Sequence, residues 1–425
     1  MRESMRVAGA VVIGVVAGAA PSWAGDADKR AVLETYANIA QAKYEDSLAT
    51  AKALDGAIDA LIAQPSVASL TAARVAWLEA RVPYQQSEAY RFGNAIVDDW
   101  EGKVNAWPLD EGLIDYVDAG AYGEESDENM LYTANVIANP SLKLGGEMVD
   151  AGAITKTLLE ETLHEADEVE ANVATGYHAV EFLLWGQDLN GTGPGAGARP
   201  YTDFDPANCT GGNCERRAEY LAAASELLVD DLTWMAAQWG ADGEARKGLL
   251  EGDADAGLAT ILTGMGSLSY GELAGERMKL GLLLNDPEEE HDCFSDNTHN
   301  SHYYDALGIK NVYTGSYRRI DGSTVSGASL ASLVAAKDGE ADKRLRAKLD
   351  ETMEAMAVLK KTAEGGKAYD QMLGADDADG NAVVQAAIDA LVAQTKEIEG
   401  AVAALGLASI AFEGSDSLDN PSAVQ

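Results

Sequence analysis

One apolar segment carries the residues whose types and spacing could do chemistry. The stretch GYHAVEFLLWGQD, residues 176–188, places His178 and Glu181 three positions apart among apolar neighbours. Residues three apart share one face of a helix, so the imidazole and the carboxylate would lie side by side. Burial of a charged carboxylate among apolar side chains is costly unless it is paired, and a cation is a suitable partner. The pair predicts half of a metal site, although His-x-x-Glu alone is a short pattern that also arises by chance.

Two other segments, residues 81–91 and residues 285–305, could supply further ligands, because two protein ligands rarely hold a divalent cation tightly. Glu88 lies in the first segment, where the alternative is an ion pair with Arg81 or Arg91 at helical spacing. Asp296 and His299 lie in the second, which is rich in acidic residues and histidines. The alternative there is a polar loop whose histidines are only solvated. We predict that Glu88, Asp296 and His299 add to the site of the His-x-x-Glu pair.

The ligand types bear on both the metal and the reaction. Carboxylates with one or two imidazoles suit iron or zinc. Zinc peptidases with His-Glu-x-x-His have two imidazoles one turn apart and an adjacent general base. Here the order is His-x-x-Glu, with no second histidine in the predicted helix and no position for the base. The pattern therefore favours metal binding without hydrolysis, and a metallopeptidase is the alternative.

The string GYHAVEFLLWGQD resembles the signature of the imelysin family, which includes the iron-regulated protein A group and an insulin-cleaving metalloprotease. The resemblance extends to residues 73–117 and 288–301, so it spans most of the chain. It implies two similar helical bundles that arose by duplication, and a metal site at His178 and Glu181. It also implies either a role in iron uptake or a peptidase activity.

The same resemblance implies the cofactor and the partners. Iron is the favoured metal, and zinc is the alternative. The implied partners are iron, an iron-bearing ligand, or envelope components of iron uptake. A third alternative is a metal-free interaction protein that uses the same cleft.

The N-terminus reads as an export signal. Arg2 and Arg6 precede an apolar run over residues 7–20, and Ser22-Trp23-Ala24 fits a small-x-small cleavage site. We therefore predict a signal peptide over residues 1–24. No second unbroken apolar segment of about 18 residues is present, so we expect no direct membrane insertion. The expected location is the periplasm or another exported location, with outer-membrane association as an alternative.

The charge of the chain limits its partners. The formal net charge is −39, and the acidic residues are spread along a chain that is 47% hydrophobic. This composition is typical of a folded acidic protein, not of a disordered acidic tail. Such a protein will not bind nucleic acid or anionic lipid by electrostatics. It will attract cations diffusely, which is the alternative explanation for any loose metal binding.

Helical periodicity runs through most of the sequence and strand-like alternation is almost absent, which predicts an all-α fold. We expect two antiparallel helical bundles over residues 28–190 and 215–412, with a tail over 413–425. A Gly/Pro-rich linker over 191–214 would separate them. Predicted helices include residues 69–92 and 151–173.

The linker contains two of the three cysteines. Cys209 and Cys214 are separated by a flexible Thr-Gly-Gly-Asn turn, and an oxidising compartment favours a disulfide between them. The alternative is a soft-metal site, which would want more thiolates or a nearby histidine. Cys293 would then be unpaired, and we expect it to be buried and not catalytic.

Overall fold

The computed structural model describes residues 23–424, which are mainly helical. The helices are α1 (Trp23–Ala63), α2 (Val67–Gln85), α3 (Ala95–Asn105), α4 (Glu111–Ile114), α5 (Ala119–Tyr122), α6 (Lys156–Leu158), α7 (Gly176–Trp185), α8 (Cys214–Trp239), α9 (Glu244–Glu251), α10 (Ala254–Ser267), α11 (Leu280–Leu284), α12 (Thr298–Thr314), α13 (Leu330–Lys337), α14 (Gly339–Glu364), α15 (Tyr369–Leu373), α16 (Ala378–Leu405) and α17 (Asp416–Asp419). The predicted all-α class is confirmed.

Short irregular helical segments and two hairpins complete the fold. The 3-10 turns are Glu88–Tyr90, Ala166–Glu168, Tyr201–Phe204 and Pro287–Glu289, and the π-helical segments are Leu159–Leu163 and Leu268–Lys279. The strands β1 (Ser141–Leu144) and β2 (Glu147–Asp150) pair antiparallel, as do β3 (Ser316–Arg318) and β4 (Thr324–Ser326). Each hairpin is small, and Leu142 of β1 and Tyr317 of β3 are buried in the hydrophobic core.

The long helices form two packed groups. In the first group α1 packs along α2 and α8, and α7 packs against α2 and α8. In the second group α14 packs along α16 and α12, and the π-helical segment 268–279 packs along α16. Helix α12 also contacts α2, so the groups share an interface. Helix α8 follows the predicted linker in sequence, but it packs on α1 in the first group. The predicted domain boundaries and the predicted duplication remain predictions.

Helix α1 shows why the sequence folds in this way. Its buried side chains recur every three or four residues, as at Leu33, Tyr36, Ile58 and Leu61. This spacing makes one continuous apolar face, and burial of such a face supplies most of the stability of a helix in a protein. Helix α2 starts at a capping box in which the Ser66 and Ser69 side chains satisfy each other's backbone N–H groups.

Two predicted helices need correction. The helix predicted over residues 69–92 ends at Gln85, and a 3-10 turn follows it. The helix predicted over residues 151–173 is wrong. This region contains α6, a π-helical turn and a 3-10 turn, and Glu165, Asp167 and Glu168 have positive φ angles. Left-handed backbone at three residues cannot continue a right-handed helix.

The predicted signal peptide lies outside the described residues, except for Trp23 and Ala24 at the start of α1. Between residues 23 and 424, no helix is both long and apolar enough to cross a membrane. Cys209 and Cys214 are joined in a disulfide with a Cα–Cα distance of 5.9 Å, and Cys293 is buried with a free thiol. Burial is the main cause of a raised pKa at Cys293, which does not fit an activated nucleophile.

Candidate metal centre

Helix α7 holds His178 and Glu181 in the protein interior. All ten residues of α7 are buried, as expected for a helix that is apolar on every side. The helix begins at Gly176, whose φ of +78° and close approach to the Val104 backbone leave no room for a side chain. Both side chains of the pair are 0% exposed. The sequence spacing thus puts an imidazole and a carboxylate together in a dry environment.

The two oxygens of Glu181 have different partners. Oε2 lies 3.0 Å from His178 Nδ1. Oε1 accepts hydrogen bonds from the Ser295 backbone N–H at 3.0 Å and from the Ser295 hydroxyl at 2.6 Å. Both oxygens are therefore engaged, and Glu181 links α7 to the loop before α12. If His178 Nδ1 carries the ring proton, it donates to Glu181 and leaves a lone pair on Nε2.

Three possible metal ligands of two types lie close together at His178. Among the described residues, His178 Nε2 is buried and has no hydrogen-bond partner. Ligand atoms of His178, His291 and Asp292 all lie within 4.8 Å of one another. The two imidazole ring centroids are 4.7 Å apart, and all three residues are buried. Two imidazoles and one carboxylate form a donor set that suits iron or zinc.

Arg81 crosses this cluster from α2. Its Nη2 lies 2.8 Å from Asp292 Oδ1, and its Nη1 donates to Asn105 Oδ1 at 2.6 Å. The other carboxylate oxygen of Asp292 accepts from Asn297 at 2.9 Å and from the Ser301 hydroxyl. A cation at this site would therefore share Asp292 with a guanidinium. The positive charge of Arg81 works against cation binding, while the carboxylates favour it.

The environment shifts the protonation of each group. Burial, aided by the charge of Arg81, lowers the pKa of His178 well below its usual value. Burial, aided by the charge of Arg277, does the same to the pKa of His291. Both imidazoles are therefore neutral near pH 7, as metal coordination requires. Burial alone would raise the pKa of Asp292, but Arg81 holds it below its usual range.

Glu181 shows the opposite shift. Burial and the charge of Asp292 raise its pKa, and the hydrogen bonds from Ser295 oppose that rise. A carboxylate in this position gains most from a nearby cation, because the cation offsets both burial and repulsion. The electrostatics at Glu181 thus favour a nearby positive charge, whereas Arg81 and Arg277 oppose one at His178.

The other metal ligands predicted from the sequence lie outside the cluster of His178, His291 and Asp292. Glu88 is buried and paired with Arg277 at 2.7 Å, an arginine that the sequence argument did not consider. Asp296 shares a cluster with Asp188 and Asp370, separate from His178. His299 contacts Asn300 through Nε2 at 3.0 Å and is not among the three clustered ligands. The structure therefore brings neither Glu88, Asp296 nor His299 into the His178 cluster.

Two residues of the cluster were not singled out from the sequence. His291 and Asp292 are adjacent in the chain and precede Ser295, in the segment that resembles the imelysin pattern. The sequence did indicate possible metal ligands in this segment, because an adjacent histidine and aspartate offer an imidazole and a carboxylate. Only the fold, however, places this pair opposite α7, more than a hundred residues away in sequence.

A cleft of about 430 Å³ leads to the cluster. His291, Asn105, Trp107, Glu272 and Arg277 are among the residues that line it. A larger cavity of about 640 Å³ lies beside Trp100, Lys103 and Asp231, and none of the clustered ligands lines it. We assign the smaller cleft to the candidate site because it reaches His291.

Comparisons with known proteins agree with this fold. The imelysin family model, which carries the peptidase M75 designation, matches residues 40–398. The chain belongs to the imelysin family. Iron-regulated protein A of Synechococcus elongatus (strain ATCC 33912 / PCC 7942 / FACHB-805) is 37% identical over 71 residues, which are 16% of this chain and 20% of that protein. The aligned part of that relative is thus a fifth of its length.

A solved structure supports the fold of this imelysin-family chain over nearly its whole length. It is the crystal structure of a candidate iron-regulated protein A precursor from Parabacteroides distasonis ATCC 8503. The two chains are 20% identical with a TM-score of 0.63, and the match covers 92% of this chain and 97% of the other. At this identity the similarity establishes the fold alone.

Proposed function

We propose that this imelysin-family protein binds iron through His178, His291 and Asp292 and serves iron acquisition outside the cytoplasm. The observation that carries the proposal is His178 Nε2, a buried ring nitrogen without a hydrogen-bond partner among the described residues. Such an atom is costly to leave unpaired, and a metal ion would satisfy it. The name of the Synechococcus relative, iron-regulated protein A, favours iron over zinc.

In this proposal Glu181 orients His178 and does not ligate the metal. Its bond to Nδ1 would fix the tautomer and leave Nε2 available to a metal held together with His291 and Asp292. Carboxylates commonly hold metal-binding histidines in this way, and their loss weakens metal affinity about 10–100-fold. The bound metal would supply positive charge and open coordination positions to an iron-bearing ligand. The protein's own groups position the imidazoles, exclude water from α7 and keep both rings neutral.

Binding without peptide hydrolysis is the better fit to the geometry. A metallopeptidase needs a carboxylate or imidazole free to take a proton from water. Glu181 is held by His178 and Ser295, and Asp292 is held by Arg81, Asn297 and Ser301. Neither carboxylate is free for that task in this arrangement.

Metal titration of purified variants tests the proposal. We expect the wild-type protein to bind one ferrous ion tightly in anaerobic calorimetry. His178→Ala and His291→Ala should weaken binding at least about tenfold, because each removes one ligand. His299→Ala is the matched control, since it removes a largely buried histidine outside the cluster, and it should bind as the wild type does. Equal affinity in all four proteins would place the metal elsewhere.

An activity assay separates binding from hydrolysis. Iron- or zinc-loaded protein should leave insulin B chain intact during a long incubation. Chelator-sensitive cleavage that persists after repurification and disappears in His178→Ala would instead establish the peptidase. Circular dichroism of each variant should show unchanged helix content, which separates loss of a ligand from loss of the fold.

A further inference from the structure

A second group of carboxylates lies apart from the His178 cluster. Asp188 follows the end of α7, Asp296 lies in the loop before α12, and Asp370 lies in α15. One carboxylate oxygen of each lies within 4.8 Å of the others. These residues come from three distant parts of the sequence, so the fold and not local spacing brings their charges together.

Asp370 has a buried carboxylate without a hydrogen-bond partner in the described part of the protein, which indicates a bound ligand. Its side chain is only 1% exposed, yet neither carboxylate oxygen has a hydrogen-bond partner within residues 23–424. Asp296 Oδ1 is likewise buried without a partner in that range. Buried carboxylates are normally hydrogen-bonded or ion-paired, because the loss of hydration is otherwise uncompensated.

No basic side chain neutralises the group. Across the described part of the chain, no lysine, arginine or histidine forms a salt bridge with Asp188, Asp296 or Asp370. Glu88 provides the contrast, because it is equally buried but lies 2.7 Å from Arg277. Burial and the neighbouring charges of Asp370 and Asp188 raise the pKa of Asp296 to about 7. Burial is also the main cause of the raised pKa of Asp370, about 6.

We propose that Asp188, Asp296 and Asp370 form a binding site for a hard divalent cation, with Ca²⁺ as the ligand. The three ligand residues offer only carboxylate oxygens, the donors that Ca²⁺ prefers. Two of them lie in loops, and Ca²⁺ tolerates irregular ligand sets better than Mg²⁺, which demands near-ideal octahedral geometry. The absence of an imidazole or thiolate from the trio disfavours zinc.

The site would stabilise the neighbouring His178 cluster. Asp296 is adjacent to Ser295, which holds Glu181, and Asp188 follows the helix that carries both His178 and Glu181. An ion at this position would tie the end of α7 and the Ser295 loop to α15. It would act as a structural clamp on the elements that orient His178, without contacting His178 itself.

Calorimetry and thermal unfolding of chelator-treated protein test the inference. One Ca²⁺ should bind the wild-type protein, and saturating Ca²⁺ should raise its Tm by about 3 °C or more. Asp370→Asn should abolish both effects. Its Tm without Ca²⁺ should equal or exceed that of the wild type, because the substitution removes repulsion among the carboxylates. Asp376→Asn, an exposed aspartate near α15, is the matched control and should respond to Ca²⁺ as the wild type does.

Three further measurements distinguish this site from the proposed iron site. His178→Ala should keep the full Ca²⁺ response, since His178 is not a ligand here. Mg²⁺ should give a smaller shift than Ca²⁺. Asp188→Asn, at the more exposed edge, should repeat the loss seen with Asp370→Asn. An unchanged Ca²⁺ response in both aspartate variants, or no Ca²⁺ binding by the wild type, would overturn the proposal whatever the outcome for iron.

Discussion

Glu181 is a buried carboxylate whose two oxygens have separate partners. One oxygen is directed at His178, and the other receives two hydrogen bonds from Ser295. A carboxylate held at both oxygens cannot rotate without breaking a bond, so it fixes the orientation of the imidazole. The role of Glu181 thus follows from its partners: it positions a ligand, and Ser295 positions Glu181.

Ser295→Ala tests whether Ser295 positions Glu181 and, through it, His178. The change removes the 2.6 Å hydroxyl bond to Glu181 and leaves the backbone N–H in place. We expect a loss of about 1–3 kcal/mol in the free energy of unfolding, since one hydrogen bond to a buried carboxyl group is lost. Affinity for iron should fall about tenfold, because the orienting carboxylate becomes mobile. Chemical denaturation and anaerobic calorimetry measure the two effects.

Ser141→Ala is the control for this experiment. Ser141 is exposed in β1, so its substitution should change neither quantity by a measurable amount. A Ser295→Ala protein that is less stable but binds iron normally would show that Ser295 supports only the fold. Unchanged stability together with unchanged affinity would contradict the role of Ser295 altogether.

The sequence revealed half of the candidate site for a physical reason. His178 and Glu181 lie within one helical turn, and local periodicity suffices to place them on one face. His291 and Asp292 reach the same point only through packing of distant segments, which periodicity does not encode. Glu88 illustrates the same limit, because its partner Arg277 is 189 residues away.

The start of helix α7 requires a glycine at its first residue, Gly176. Gly176 has a φ of +78°, and a Cβ there would lie 2.4 Å from the Val104 carbonyl oxygen. The backbone of α3 therefore passes directly against the start of the helix that carries His178. Only glycine permits both the left-handed conformation and the close approach.

Gly176→Ala should therefore destabilise the protein by about 2 kcal/mol or more, because φ strain adds to a backbone clash. Gly248→Ala is the matched control. Gly248 lies in the exposed part of α9, and a Cβ there would meet no atom of residues 23–424 within 4 Å other than the backbone of α9 itself. Alanine at this helical position should be neutral or stabilise by up to about 1 kcal/mol. Urea denaturation should thus show a lower midpoint for Gly176→Ala and an unchanged or higher midpoint for Gly248→Ala, and equal shifts would contradict the argument.

At the scale of elements, periodic segments were predictable and strained ones were not. The apolar repeat located α1 and α7 because each buries a continuous face or the whole helix. The region 151–173 was wrongly predicted as a helix, because its composition is helix-forming but its backbone turns left-handed at three acidic residues. Tertiary contacts decide such turns, and propensity alone does not.

The whole molecule combines a shared apolar core with a strongly acidic sequence. Buried residues from α1 to α16 form one continuous hydrophobic cluster, in which both helical groups take part. The candidate iron site also draws on both, since His178 lies on α7 and His291 precedes α12. A site built in this way requires that the two groups remain docked.

Docking of the two groups predicts a single cooperative unfolding transition. All seven tryptophans lie at or before Trp239, so tryptophan fluorescence reports on the first part of the chain alone. Far-ultraviolet circular dichroism reports on helices along the whole chain. If the shared core couples the groups, both signals should give the same Tm and the same urea midpoint, because neither group can unfold without exposing apolar surface of the other. A fluorescence transition separated from the dichroism transition by several degrees would mean that the groups unfold independently. In that case a site formed between them would be lost at the lower transition, and iron binding would disappear before the remaining helices melt.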